Sequence, residues 1–231
     1  MQDDPDSWLA YLRDPAPWRA PDPRPEGAET ERALVRLYRF GDGPALFEAI
    51  DASRDAILPW MTWASTDHQR VEHSIHYVER VRRAAARGDA CDFPMGIFER
   101  RSGRLLGATG LHDIRPMLRQ AEVGYWIRRD ATGRGLCTEA IGALMGAALT
   151  PSSAGGWGLR RLIVYVATEN VASRRVCEKL GLRLEGHMRA ERYLGYPPDA
   201  APGYHDTYLF AVLADEWDHD AGRAKPGIGW D

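Results

Sequence analysis

A glycine-rich turn at residues 129–138 most constrains the fold, because it joins two segments of opposite hydrophobic periodicity. The preceding segment, 121–128, is rich in β-branched and aromatic residues and predicts a strand. In the following segment, 139–149, apolar residues recur at helical spacing and predict a helix. Glycines let backbone amides converge, and the positive end of a helix dipole favours anions. The sequence therefore predicts an anion cradle where this helix begins.

Three kinds of phosphate-binding turn can join a strand to a helix, and their residue patterns separate them. A nucleotide P-loop ends in Gly-Lys followed by Ser or Thr, and the chain contains no such tripeptide. A dinucleotide-binding turn needs three glycines spaced G-x-G-x-x-G, whereas Gly133 and Gly135 are followed by Thr138. The remaining pattern is Q/R-x-x-G-x-G/A. Its central glycine is matched by Gly135, whereas Thr132 replaces the usual Gln or Arg and Cys137 replaces the usual Gly or Ala. The alternative is an ordinary loop with two turn glycines.

A second strand and helix occupy residues 161–182. Residues 161–166 predict a strand, Asn170 is placed to cap the helix that follows, and Gly181 is placed to end it. The block from Asn170 to Leu182 resembles the N-x-x-S-x-x-x-x-E-K-x-G-F helix of acetyltransferases that act on ribosomal-protein N-termini. That RimJ/RimL-like group belongs to the GNAT superfamily, whose pyrophosphate loop has the pattern found at Gly135.

Three further segments resemble the same group of acetyltransferases, namely 53–63, 184–189 and 204–213. With the glycine turn and the helix after Asn170, the matching blocks stand in the family's order and extend over residues 32–217. The resemblance is specific for the family and not for the substrate.

The resemblance implies an α/β (α+β) fold with a mixed, mostly antiparallel seven-stranded sheet and helices on both faces. Its central parallel strands splay apart and bind acyl-CoA between them. The chain pattern predicts strands at 33–39, 93–99, 105–114, 121–129, 161–167, 183–193 and 204–213. It predicts helices at 43–53, 67–86, 136–149 and 171–180. We expect a Pro-rich arm at 1–31, the acetyltransferase domain at 32–217 and a C-terminal tail at 218–231.

By resemblance, the co-substrate is acetyl-CoA, and its acetyl group passes directly to an amine. The expected cofactor-binding residues surround the splayed strand, the glycine turn and the capped helix. They are Ile127, Arg128, Arg129, Gly133, Arg134, Gly135, Leu136, Cys137, Thr138, Asn170 and Ser173. Arg129 and Arg134 could make charge-assisted contacts to phosphate or could be solvated surface charges. Asn170 could bind the pantetheine arm or serve only as a helix cap.

Transfer to an amine requires a base and a proton donor. An α-amine has a pKa of about 7.7–8.0 against about 10.4 for lysine, so a carboxylate acting through water would suffice for it. Glu122 is the first choice, because it stands at the strand position of the catalytic glutamate in histone-modifying relatives. His112 and Glu191 are alternatives, and Ser173 is placed by the resemblance to protonate the leaving thiolate.

Four tryptophans invite separate predictions. Trp60 and Trp63, three residues apart on one predicted helical face, could line the acceptor cleft or belong to the core, and we favour the cleft. Trp8 and Trp18 lie in the Pro-rich arm and could pin it to this domain or to a partner. We expect them to dock on the same chain.

Composition excludes several classes of protein. A net charge of −3 argues against an obligate nucleic-acid partner. Cys91, Cys137 and Cys177 have no metal-ligand spacing, which favours a reducing cytoplasm, no disulfide framework and no metal. The acidic N-terminus lacks the apolar run of a signal peptide, and apolar windows such as 140–149 are too short to span a membrane. Lengthened loops, 150–159 and 197–203, make a homodimer plausible.

The sequence therefore predicts an acetyl-CoA-dependent N-acetyltransferase. The expected acceptor is the amine of a protein or peptide N-terminus. Two alternatives remain open at this point, namely a small-molecule amine such as an antibiotic or metabolite, and an acyl-CoA-binding sensor without catalysis.

Overall fold

A twisted sheet of nine strands organises the molecule. The computed structural model describes residues 18–25, 27–87, 89–194 and 203–226. The strands are β1 Gly27–Glu29, β2 Ala33–Leu37, β3 Phe93–Glu99, β4 Leu105–Arg115, β5 Gln120–Glu122, β6 Tyr125–Ile127, β7 Arg161–Ala167, β8 Arg183–Leu194 and β9 Gly203–Leu213. Their order is β1-β2-β3-β4-β5-β7-β9-β8, and β6 pairs with β4 beyond the end of β5. Within these described ranges, only β5 and β7 run parallel.

The helices lie on both faces of the sheet and leave its centre accessible from one edge. They are α1 Gly43–Asp51, α2 Arg54–Ile57, α3 Val71–Ala85, α4 Leu136–Leu149 and α5 Val171–Lys179. Short 3₁₀ helices occur at Thr62–Ser65, Arg129–Ala131, Ser152–Ala154 and Ala214–Glu216. A small hairpin, β10 Trp217–Asp218 with β11 Arg223–Ala224, follows the sheet. Among the described residues, no helix is long and apolar enough to cross a bilayer.

Two hydrophobic cores form because side chains alternate across each strand. In β3, Met95 and Ile97 face the larger core, which contains α4, whereas Phe98 faces a smaller core under α1 and α3. The packing in α4 follows the helical repeat, since Ile141, Leu144 and Met145 are buried against the sheet. The sheet is thus held from both sides.

Most elements match the bounds predicted from the chain pattern. Helix α4 and strand β7 coincide with their predictions, and α5 begins after Asn170 and ends just before Gly181, whose φ is +70°. The sheet has nine strands, two more than the seven that were predicted. Strand β1 was not expected, and the predicted strand 121–129 is divided into β5 and β6. Mixed pairing and a mostly antiparallel sheet are confirmed.

Trp18 docks on its own chain, as predicted, and closes one end of the larger core. Its side chain is only 7 % exposed, and its Nε1 donates a hydrogen bond to the Trp157 carbonyl oxygen at 2.7 Å. Its ring meets the edge of Phe93 with centroids 6.4 Å apart. Trp8 lies outside the described residues.

Candidate active site

The sheet opens between β6 and β7, on the side of the glycine turn. Strand β5 pairs with β7 through residues 120–122, and the Val123 amide adds a bond to the Ile163 carbonyl at 2.8 Å. Beyond that point β6 pairs with β4, and the second half of β7 pairs with β9. The separation begins at Gly124, whose carbonyl accepts a hydrogen bond from Thr109 Oγ1 at 2.8 Å. Backbone groups that face each other across this opening can pair with an extended ligand, as an added strand would.

The glycine turn forms a positively polarised cradle at the start of α4. Gly133 and Gly135 have φ values of +72° and +76°, a region that side-chain-bearing residues rarely adopt. Gly135 is the N-cap of the 14-residue helix, so the first amides of α4 point towards the turn. This is the arrangement that binds phosphate groups at helix N-termini.

Glu139, in the first turn of α4, places a negative charge near the cradle, and Arg32 compensates for it. Arg32 makes a charge-assisted pair with the Glu139 carboxylate and donates from Nη1 to the Arg134 carbonyl oxygen at 3.0 Å. Burial alone would raise the pKa of Glu139, but hydrogen bonds from Thr30 and Arg32 outweigh it and hold that pKa below its ordinary value. The carboxylate therefore stays ionised and paired beside the turn.

A cavity of about 450 Å³, here called the cradle cavity, runs from the glycine turn along the opening between β6 and β7. Its walls include most of the predicted cofactor-binding residues, namely Ile127, Gly133, Gly135, Leu136, Cys137, Thr138, Asn170 and Ser173. Arg175 and Lys179 of α5 line the same cavity. A pyrophosphate would meet the amides of the turn, and an extended chain would continue between the strands. The residues present thus fit an acyl-CoA.

Arg128, Arg129 and Arg134 are placed differently from the other predicted cofactor residues, because their side chains do not line the cradle cavity. Arg128 is 2 % exposed and binds Glu48 and Asp130 on the far side of β6. Arg129 is largely exposed, 3.8 Å from an Asp55 carboxylate oxygen. Arg128 and Arg129 were expected beside the pantetheine and pyrophosphate; the Arg128 side chain is instead paired with Glu48 and Asp130, whose side chains are 59 % and 52 % exposed. Arg134 is exposed on the turn itself.

Ser173, Tyr125 and Cys177 form a hydrogen-bonded cluster at the inner end of the cradle cavity. Asn170 caps α5, as predicted, by accepting a bond from the Ser173 amide at 3.0 Å. Ser173 Oγ donates to the Tyr125 hydroxyl at 3.1 Å, and that hydroxyl lies 3.5 Å from Cys177 Sγ. Burial raises the pKa of Tyr125 well above its ordinary value, so its hydroxyl keeps its proton. Two hydroxyl groups therefore meet where Ser173 alone was predicted.

A second cavity of about 360 Å³, the central cavity, continues from Ser173 towards β8 and contains Glu122. Burial raises the pKa of Glu122, and the nearby His112 and Arg192 act in the opposite direction. A carboxylate with a raised pKa beside a cavity is suited to accept a proton near neutral pH.

His112 is the direct cross-strand partner of Glu122, so both side chains lie on the same side of the sheet. Its Nδ1 is 2.6 Å from Asp92 Oδ1, which orients the imidazole. His112 lies within β4, three residues before the strand ends at Arg115. Glu191 is exposed on β8, 3.7 Å from Arg192, and it does not line the central cavity. Of the three base candidates, Glu122 alone faces that cavity.

Trp60 and Trp63 do not share a helical face. Trp60 follows α2 in a turn, whereas Trp63 lies in the 3₁₀ helix Thr62–Ser65. The prediction of one helix through both residues was wrong because α2 ends at Ile57, just before Pro59. Both side chains border the central cavity, and both are partly exposed.

The prediction missed Tyr125, Met61 and the basic residues of α5 at the cavities. Tyr125 was assigned to the strand for its β propensity, and a strand pattern does not reveal which neighbour a hydroxyl will meet. Arg175 and Lys179 stand four residues apart after the N-cap, so helical spacing places both on one face. That spacing was a usable signal for two basic side chains on one wall of the cradle cavity.

Comparisons with known proteins agree with this geometry. The chain is 27% identical over 188 residues to YdaF of Bacillus subtilis (strain 168), which carries the name of a ribosomal N-acetyltransferase, covering 81% of this chain and 94% of YdaF. It is 30% identical over 111 residues to the ribosomal-protein-serine acetyltransferase of Escherichia coli (strain K12), covering 48% and 56%.

Two solved structures share the fold. RimL, a ribosomal L7/L12 alpha-N-protein acetyltransferase in complex with coenzyme A, superposes with a TM-score of 0.69 at 21% identity, covering 80% of this chain and 95% of RimL. MccE, a microcin C7 self-immunity acetyltransferase in complex with acetyl-CoA and AMP, superposes with a TM-score of 0.70 at 16% identity, covering 82% and 97%.

Two findings together assign the family: the match to a known domain family and the geometry of the candidate site. The acetyltransferase (GNAT) domain matches residues 32–183, which span the opened strands, the glycine turn and the capped helix. This chain belongs to the GNAT family of acetyl-CoA-dependent N-acetyltransferases.

Proposed function

We propose that the enzyme acetylates the α-amine of a protein or peptide N-terminus. The observation that carries the proposal is the course of the central cavity, which joins the cradle cavity at Asn170 and Ser173 and extends to Arg192 and Tyr193 on β8. An amine entering from β8 reaches the inner end of the cradle cavity. The names of YdaF and of the serine acetyltransferase support the same acceptor class.

The rim of the central cavity offers a surface for the residues that follow an N-terminal amine. Tyr193 and Tyr204 are 55 % and 75 % exposed, and their rings meet edge to face with centroids 5.2 Å apart. Exposed aromatic pairs of this kind contact peptide backbones and apolar side chains at low entropic cost. Arg192 lies beside them and adds a positive charge at the cavity wall.

We assign the proton transfers and the stabilisation of the thioester carbonyl to residues of this chain. Acetyl-CoA brings the acetyl group as a thioester; a C–N bond forms and the C–S bond breaks. We assign to Glu122 the proton lost by the incoming ammonium, directly or through one water. A backbone amide of β6 donates a hydrogen bond to the thioester carbonyl. Ser173 transfers to the departing thiolate the hydroxyl proton that it otherwise donates to Tyr125, and it regains a proton from the nitrogen of the tetrahedral intermediate, which loses this second proton as the amide forms.

Initial rates of CoA thiol release with acetyl-CoA test the acceptor class. The panel contains peptides with free N-termini, the same peptides with blocked N-termini and one internal lysine, polyamines and aminoglycosides. We expect release with free N-termini and little with blocked peptides. Faster release with a polyamine or an aminoglycoside than with any peptide would contradict the proposal and favour a small-molecule acceptor.

A further inference from the structure

A third cavity of about 330 Å³, here called the aromatic pocket, lies beneath the opened strands on the side of α1 and α3. It shares Met61, Tyr125 and Trp126 with the cradle cavity, and Met61, Trp63, Gly124 and Tyr125 with the central cavity. Gly124 has no side chain, and a methyl group there would come no closer than 3.8 Å to His112. The border between the two spaces is therefore open at the point where the amine is expected.

The wall of the aromatic pocket is an array of rings packed edge to face. The centroids of Trp63 and His68 are 5.7 Å apart, those of His68 and Tyr77 5.0 Å, and those of Tyr77 and Tyr38 6.3 Å. Their interplanar angles lie between 70° and 79°. Aromatic rings prefer such edge-to-face neighbours, and a further ring can extend the array.

Most of the pocket wall is uncharged, the exceptions being Asp67 and His112, whose Nδ1 is 2.6 Å from Asp92 Oδ1. Burial lowers the pKa of His68, whose Nδ1 is 2.8 Å from Ser74 Oγ, so the imidazole stays neutral. Burial raises the pKa of Tyr77 to about 12, so its phenol stays protonated. Leu46 and Ile50 complete the floor, and Asp67 lies at the exposed side. A charged group placed among these rings, away from Asp67 and His112, would lose its water without gaining a partner.

We propose that the aromatic pocket binds an aromatic side chain on the carbon that carries the acceptor amine. The enzyme would then prefer N-termini that begin with phenylalanine, tyrosine or tryptophan over those that begin with serine or alanine. This inference rests on the proposed function, because it names the first residue of that peptide acceptor. The volume of the aromatic pocket, about 330 Å³, is at the small end of the range for ligand pockets and suits one ring system.

Matched peptides that differ only in their first residue test the preference. With Phe, Leu, Ser and Ala in that position, we expect kcat/KM for Phe to exceed that for Ser by about tenfold or more. The Phe peptide should also exceed the Leu peptide. Equal values for Phe and Ser, or a higher value for Leu than for Phe, would overturn the proposal.

A pocket-filling substitution separates this effect from general peptide binding. Ala108 lines the pocket on β4, and Ala108→Leu should bring the Phe-to-Ser ratio of kcat/KM towards one. Ala52→Leu adds the same atoms at an exposed position after α1 and should keep the wild-type ratio. An unchanged ratio in Ala108→Leu that binds acetyl-CoA normally would overturn the proposal.

Binding of the acetylated products distinguishes failure of this inference from failure of the proposed function. N-acetyl-Phe and N-acetyl-Ser peptides are titrated into the wild-type protein with CoA, and tryptophan fluorescence is followed because Trp63 and Trp126 line the pocket. Tighter binding of the Phe product without turnover of any peptide would support the pocket and refute the proposed function. Turnover of peptides with equal binding of both products would refute the pocket alone.

Discussion

The two halves of the candidate site are built in different ways. The half that receives the cofactor consists of backbone, namely the opened strands, the positive-φ glycines and the first turn of α4. The half proposed to receive the acceptor consists of side chains from β5, β8 and the segment around Trp63 in the central cavity, and from α1, α3 and β4 in the aromatic pocket. The first half recognises groups that every acyl-CoA shares, whereas the second can change residue by residue without altering the fold. We therefore expect cofactor and acceptor specificity to be separable in this protein, and the following substitutions test that separation.

The largest effect is expected at the cradle. Gly135→Asp forces a side chain into a positive-φ position and adds a negative charge where phosphates would bind, so acetyl-CoA affinity should fall by roughly 100-fold or more. Isothermal titration calorimetry measures the change. Gly103→Asp is the control, because Gly103 has a φ of +72° in the β3–β4 turn with nothing near its Cβ position. Equal losses in both variants would mean that strain, and not the cradle, sets the affinity.

The next effect concerns the base. Glu122→Gln should lower kcat/KM by about 100-fold, the lower range for loss of a general base. Because burial raises the pKa of Glu122, the wild-type enzyme loses its base at a pH above the ordinary glutamate value. Below that pKa, log kcat/KM should fall with slope two in the wild type, since amine and carboxylate must both lose protons, and with slope one in the variant. Exposed Glu191→Gln is the control, and identical profiles for wild type and Glu122→Gln would remove Glu122 as base.

A smaller effect is expected from the hydroxyl cluster. Tyr125→Phe removes the acceptor of the Ser173 hydroxyl bond and should lower kcat by about tenfold, the worth of one hydrogen bond. Acetyl-CoA affinity should change little. In a double-mutant cycle, Tyr125→Phe and Ser173→Ala together should cost much less than the sum of their single effects. Additive losses would show that the two hydroxyls act independently.

The smallest effect on binding is expected at Arg128, which serves the fold. Arg128→Gln breaks the pairs with Glu48 and Asp130 and should lower the free energy of unfolding by roughly 1–2 kcal/mol. Acetyl-CoA affinity should stay within about twofold of the wild type. Hydrogen bonds from Arg128 and Arg104 lower the pKa of Asp130 to about 2, so its contribution to stability is present above its ordinary pKa and disappears as the pH falls towards 2. Thermal unfolding measures the change in stability, and calorimetry measures the change in acetyl-CoA affinity. A large loss of affinity at unchanged stability would show that Arg128 contributes to cofactor binding.

The cofactor half could be predicted from sequence because its information is local. Gly135 and Asn170 each act on the residues next to them in the chain, and α4 begins and ends where its pattern indicates. The break at Gly124 was missed because it depends on Thr109 and Ile163, which approach only in the folded sheet. The periodicity of 121–129 remains that of a strand on both sides of the break.

The acceptor half could not be predicted in the same way, because its residues meet only through tertiary contacts. Tyr38, Trp63 and Tyr77 come from three elements, and their separate segments carry no shared motif. Trp60 and Trp63 were predicted to share a helical face, yet the turn after Ile57 separates them. Both border the central cavity, but Trp60 also lines the cradle cavity and Trp63 the aromatic pocket. Arg128 was placed beside the cofactor by its position before the cradle, whereas its side chain is held by Glu48, eighty residues earlier in the chain.

The docking of Trp18 affects where this protein can be shortened. The match to the GNAT domain begins at residue 32. The indole of Trp18 nevertheless packs beside Phe93 and donates a hydrogen bond to the Trp157 carbonyl oxygen. A chain starting at residue 32 would lose that ring and strand β1, and loss of a buried tryptophan alone costs about 3–5 kcal/mol. The total free energy of unfolding of many proteins is little larger than this loss. Shortened or fused versions of this enzyme should therefore retain Trp18 and the chain that follows it. Their folding should be measured before a loss of activity is interpreted.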